Sequence, residues 1–166
     1  MRTSRVLASA MAAGVLAVSL AVPAQAAISA AKPKGSLTVY THQTQINVLD
    51  LGASGVTVGD VTTGNGTVAT TPGGKSVGTF TYRSENVSVS IPGGNRNVLS
   101  TTAYLLPTGQ ILTQGLISAP GGTAPVATQT RVILGGTGKY AGASGTAVMN
   151  PGANQTDWTI TFRFVS

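Results

Sequence analysis

Arg131–Asn150 reads R-V-I-L-G-G-T-G-K-Y-A-G-A-S-G-T-A-V-M-N. Two short runs of strand-forming residues, Arg131–Leu134 and Thr146–Met149, flank a connection crowded with small residues. Gly135, Gly136, Gly138, Gly142 and Gly145 open backbone angles closed to other residues. Glycines after a strand can cradle a phosphate, but the context here is wrong for it. A P-loop needs Lys followed by Ser or Thr, whereas Tyr140 follows Lys139. A dinucleotide fingerprint needs a helix next, whereas β-type Thr146–Met149 arrives instead. The stretch therefore reads as a glycine-rich crossing between two strands.

Working outward, the same grammar repeats. Trp158, Ile160, Phe162 and Phe164 alternate with Thr159, Thr161 and Arg163, the cleanest period-two signal in the chain. Ser76–Ile91 is a long alternating run with Phe80, Tyr82, Ser84 and Asn86 on one face. Thr79, Thr81, Arg83, Glu85, Val87 and Val89 lie on the other. Asn97–Leu106 and Gln110–Ser118 are joined tightly by Pro107-Thr108-Gly109 and should pair as a hairpin. Val126–Leu134 follows a Pro/Gly loop at Ala119–Pro125. In Leu37–Leu49 both alternating faces mix apolar and polar residues, so its inward face stays open. Val56–Val61 reads as the second strand, with turns at Gly64-Asn65-Gly66, Pro72-Gly73-Gly74 and Pro92-Gly93-Gly94-Asn95. No useful helical periodicity appears after the N-terminal segment. About eight strands punctuated by turns point to an all-β sandwich or barrel.

Met1–Ala26 has the three parts of a secretory signal peptide. Arg2 and Arg5 supply the positive start, Val6–Val22 the apolar middle, and Ala24-Gln25-Ala26 a small-x-small cleavage site. The expected organisation is residues 1–26 as signal peptide, 27–36 as a flexible tail and 37–166 as one domain, with a secreted product and no membrane anchor after cleavage. Without Arg2 and Arg5, eight Lys and Arg stand against four acids, a net charge of +4. Those cations are mostly spaced singly, so no basic stripe with interleaved aromatics marks a nucleic-acid partner. Cysteine is absent, which excludes zinc-thiolate, iron–sulfur and cysteine-nucleophile sites. Stability must then come from packing and sheet closure.

Gly135–Gly145, G-G-T-G-K-Y-A-G-A-S-G, resembles the G-G-T-G-x-F-x-x-A-R-G segment of dirigent proteins and, more loosely, the matching part of allene oxide cyclases. Asp60-Val61-Thr62-Thr63 resembles the dirigent D-x-[LV]-T segment, and Gly78–Tyr82 sits where dirigents show G-x-x-Q-G-x-Y. The resemblance implies an eight-stranded antiparallel β-barrel with an apolar cavity. It also implies a protein that holds a small apolar molecule and steers its cyclisation or coupling, as a cofactor-independent cyclase or isomerase. One position departs: the family arginine that lines the dirigent pocket is Ser144 here. Proteins of this kind are often trimers, so a homotrimer is one arrangement open to the chain.

Few residues can do acid–base chemistry. His42 is the single histidine, no G-x-S-x-G elbow accompanies any serine, and one His with four scattered acids does not assemble a metal site. His42 therefore reads as a satisfied strand residue. The resemblance points Asp60 into the barrel, where burial should raise its pKa toward values useful for proton transfer. The alternative is that it caps the neighbouring turn. Tyr82 and Tyr104 are expected as pocket hydroxyls, with Phe80 and Ser144 completing a substrate-binding set around catalytic Asp60. The competing function is a non-catalytic secreted barrel that binds a ligand or another surface.

Overall fold

Alternating strands leave backbone edges that must be paired, and this chain pairs them by closing on itself. The computed structural model describes residues 32–90, 95–119 and 127–165. Within them lie β1 (Gly35–Leu49), β2 (Val61–Ala69), β3 (Ser76–Ser90), β4 (Asn95–Leu106), β5 (Gly109–Ala119), β6 (Gln129–Gly136), β7 (Gly145–Pro151) and β8 (Asp157–Phe164). Each strand pairs antiparallel with the next, and β8 closes onto β1. The expected eight-stranded antiparallel barrel is the fold. The one helical piece among the described residues is a 3-10 turn, Gly138–Tyr140. The Met1–Ala26 segment, the Pro92-Gly93-Gly94 turn and most of the Ala119–Pro125 loop lie outside the described residues. Strand β1 begins at Gly35, two residues ahead of the expected domain start.

Directly paired residues share a face of the wall, so the register fixes what looks inward. Three rows cross β2 to β5: Gly66–Phe80–Tyr104–Ile111, Gly64–Tyr82–Thr102–Thr113, and Thr62–Ser84–Ser100–Gly115. The first row is bulky and apolar, the second mixed, the third small. On β1 the inward set is Leu37, Val39, Thr41 and Gln43, since Val39 pairs with Ile160 and Leu37 with Phe162. That pairing decides the face left open by the sequence.

The bulky end of the lumen is a packed aromatic floor. Tyr104 meets Phe162 edge-on at 5.1 Å between ring centroids, and Tyr140 stacks on Phe164 at 6.1 Å. Val39, Val68, Ile111, Ile160 and Phe162 are fully buried around them, each stabilising the fold by roughly 1.5–3 kcal/mol. The glycine-rich crossing carries Tyr140 into this floor. Its Gly138 has φ 59°, and a Cβ there would strike the Thr108 carbonyl, so the crossing seats against the β4–β5 turn only as glycine.

Two expected boundaries change. Val56–Asp60 belongs to the β1–β2 loop, and β2 runs straight through Gly64-Asn65-Gly66, which the residue types suggest as a turn. The glycines answer a packing need instead. A Cβ on Gly64 would lie 2.5 Å from the Tyr82 ring, and one on Gly66 would lie 2.6 Å from the Phe80 ring and collide with the His42 carbonyl. Beta-strand β2 is glycine-rich because two aromatic rings of β3 lie flat across it.

Candidate functional site

Above the aromatic floor the lumen turns polar, and an arginine sits in it. Arg131 is inward on β6, where it pairs with Ala147 of β7, and is only 6% exposed. Its stem crosses Gly115 of β5, where an added Cβ would lie 2.8 Å from Arg131 Cγ. From there Nη1 donates to Thr102 Oγ1 at 2.6 Å, while Nε has no partner among the described residues. Small neighbours on either side, Gly115 and Ala147, give the long side chain its room.

Both tyrosines expected from the sequence join this arginine. Tyr104 is 1% exposed, and its hydroxyl lies beside the Thr102 and Thr113 hydroxyls without a well-formed hydrogen bond among the described residues. Burial raises its pKa, with the Arg131 charge pulling the other way. Tyr82 is half-buried, donates to Gln43 Oε1 at 3.2 Å, and has its pKa raised for the same first reason, again opposed by Arg131. Phe80 stacks with Tyr82 at 6.4 Å between centroids and forms part of the floor. Burial also pulls the Arg131 pKa down, yet a guanidinium remains protonated. Behind the arginine, Ser84 and Ser100 bond to each other at 2.8 Å. The Gln129 carboxamide, also on the inner side of β6, has neither its oxygen nor its nitrogen satisfied among the described residues.

Asp60 and Ser144 stand apart from this group. Asp60 is buried at the barrel rim, where it accepts from Leu51 N at 2.9 Å, Thr57 N at 2.6 Å, Thr57 Oγ1 at 2.8 Å and Asn86 Nδ2 at 3.4 Å. The expectation of a raised pKa is reversed: the backbone N–H groups of Thr57 and Leu51, aided by the Thr57 and Asn86 side chains, outweigh desolvation and lower it. It ties the β1–β2 loop to β3. Ser144 lies on the crossing and donates to the Val165 carbonyl at 3.3 Å, beside the end of β8. His42 pairs with Asp157 at 2.6 Å on the outer wall, and Arg83 with Glu85 at 3.1 Å.

A shallow groove of about 530 Å³ also runs over the outer wall, past Thr81, Leu99, Ala103 and Leu112. It offers threonine hydroxyls, aliphatic side chains and a neutralised Arg83–Glu85 pair. The lumen is the better candidate because it buries Arg131 Nε and both ends of the Gln129 carboxamide without partners among the described residues.

No protein-family model matches the chain, and a comparison with curated proteins returns no match. Solved structures do match. A pyocyanin demethylase aligns with TM-score 0.65 and 22% identity over 78% of this chain and 99% of its own. The Diels-Alderase AbmU from Streptomyces koyangensis aligns with TM-score 0.60 and 18% identity over 78% of this chain and 64% of its own. The pterocarpan synthase dirigent protein GePTS1 aligns with TM-score 0.55 and 14% identity over 78% of this chain and 86% of its own. The fold is that of dirigent and cyclising barrels. The resemblance seen in Gly135–Gly145 is thus matched by structural likeness. Position 144 is a serine on the crossing, and the arginine inside the barrel is Arg131 of β6.

Arg131 was missed because Arg131-Val132-Ile133-Leu134 alternates with apolar residues on both faces. Pattern alone leaves the guanidinium free to point either way. The one usable signal was glycine in the middle of Gln110–Ser118, at Gly115, where a strand weakens itself to make space.

Proposed function

We propose that the protein is a secreted barrel that takes a small, largely apolar molecule into its lumen and steers its cyclisation or coupling without a cofactor. One observation carries this reading: Tyr82, Tyr104 and Arg131 converge on one inner region, above an aromatic floor that includes Phe80. Such a site would work by orientation and exclusion of water, holding reacting atoms near each other while the donors fix one end of the molecule. Likeness to a Diels-Alderase and a dirigent protein supports the fold's suitability for this task. Secretion rests on the three-part pattern of Met1–Ala26, and no helix among the described residues is long and apolar enough to cross a membrane.

A second reading is a barrel that binds without turnover. It is favoured by the absence of any carboxylate or imidazole from the inner face of the described residues: Asp60 is committed to its loop, and His42 and Asp157 to each other. A homotrimer would find a surface in Leu99, Leu112, Leu116, Val132 and Leu134, exposed on the outer wall of β4 to β6.

Native mass spectrometry of protein recovered from culture medium tests these points together. The expected species starts at Ala27 and carries a bound small molecule, and its mass reports the subunit number. Returning the released compound to fresh protein and finding a cyclised or coupled product supports steering; recovering it unchanged supports binding alone. A cell-retained protein with an intact N-terminus and no ligand would refute the proposal.

A further inference from the structure

Arg131 carries a buried charge that no acidic side chain balances. The chain has four acidic residues, and all are placed elsewhere. Asp50 is exposed beside Gly55, Asp60 is bound into the β1–β2 loop, Glu85 pairs with Arg83 on the outside, and Asp157 pairs with His42. A guanidinium taken out of water without a counter-charge is costly, and one hydrogen bond to a threonine hydroxyl does not neutralise it. The Nε–H of Arg131 is buried without a partner among the described residues, and the buried hydroxyl of Tyr104, held only loosely between the Thr102 and Thr113 hydroxyls, lies within reach of the arginine's charge. An unspent guanidinium N–H, a loosely held phenol and a positive charge with no acidic side chain in the lumen form an oxyanion seat.

We propose that the lumen selects molecules bearing a negatively charged oxygen, a carboxylate or the enolate or phenolate of an acidic compound. That oxygen is received by Arg131 and Tyr104. This rests on the lumen being the small-molecule site proposed above, and it narrows that site from apolar ligands in general to apolar anions.

Matched pairs separate the two ideas. Isothermal titration calorimetry of the purified protein with trans-cinnamate and trans-cinnamamide, and with decanoate and decanamide, compares like shapes that differ in charge. The anion is expected to bind at least about tenfold more tightly than its amide. Arg131→Gln should remove that preference, bringing anion and amide affinities within about twofold of each other, and Arg83→Gln on the outer wall should leave it intact. Tyr104→Phe should weaken the anion more than the amide, a readout that does not depend on removing the arginine. Equal binding of anion and amide, unaltered by Arg131→Gln, overturns the oxyanion seat and leaves the small-molecule barrel standing. Binding by no member of either pair overturns both. Far-UV circular dichroism of each variant confirms that the barrel is intact.

Discussion

Arg131→Met should make the protein more stable. The wild-type side chain loses the hydration of a charge, an effective cost of several kcal/mol, and recovers about 1.5–3 kcal/mol from its charge-assisted bond to Thr102. Methionine keeps much of the same stem over Gly115 with no charge to desolvate and no stranded Nε–H. Thr102 Oγ1 loses a donor but keeps a hydroxyl that can reorient. Replacing an uncompensated buried ion by a side chain of similar size is worth about 1–4 kcal/mol, which for a domain of this length raises Tm by about 3–15 °C. Urea melts at neutral pH followed by circular dichroism measure it, and an unchanged denaturant slope shows that the same surface is exposed on unfolding. A midpoint shift corresponding to a loss of more than about 1 kcal/mol would mean that the guanidinium is well paired inside the barrel, and the unbalanced-charge argument would collapse.

Other outcomes follow from the same packing. Tyr104→Phe should change stability by no more than about 1 kcal/mol in chemical denaturation, because the buried hydroxyl it deletes is only loosely held by Thr102 and Thr113. Gly66→Ala should cost about 1–3 kcal/mol or prevent folding, since its Cβ meets the His42 backbone. Gly64→Ala should cost less, because it meets the Tyr82 ring, which can swing; the near-UV tyrosine signal should change with it. Asp60→Asn should lower Tm at neutral pH by loosening the β1–β2 loop. Because the folded pKa of Asp60 is depressed, its contribution is fully present above the unfolded carboxylate value of about 4 and is lost as pH falls through the lower folded value. The Tm gap between wild type and Asp60→Asn should therefore close in acid, and a gap that widened there would contradict the hydrogen-bond assignment.

The number of strands and the place of all but the second were readable from alternation and from Gly and Pro. These are local matters: side chains on a strand take opposite sides, and turn residues act within four positions. The likeness of Gly135–Gly145 to dirigent proteins correctly chose a barrel over a sandwich. Local chemistry misread Gly64-Asn65-Gly66, because a glycine that admits a neighbouring ring looks in one dimension like a glycine that admits a turn. Asp60 was legible as a polar residue near a strand start, but whether its donors would outnumber its desolvation depended on a loop folding back over it. Arg131 is the sharpest case. Its own strand offers two equally apolar faces, and its inward direction is settled by Gly115 and Ala147 on the strands to either side, partners sixteen residues away along the chain in both directions. Alternation along one strand sets which residues share a face; only pairing between strands decides which face looks inward, and that choice put the charge in the lumen.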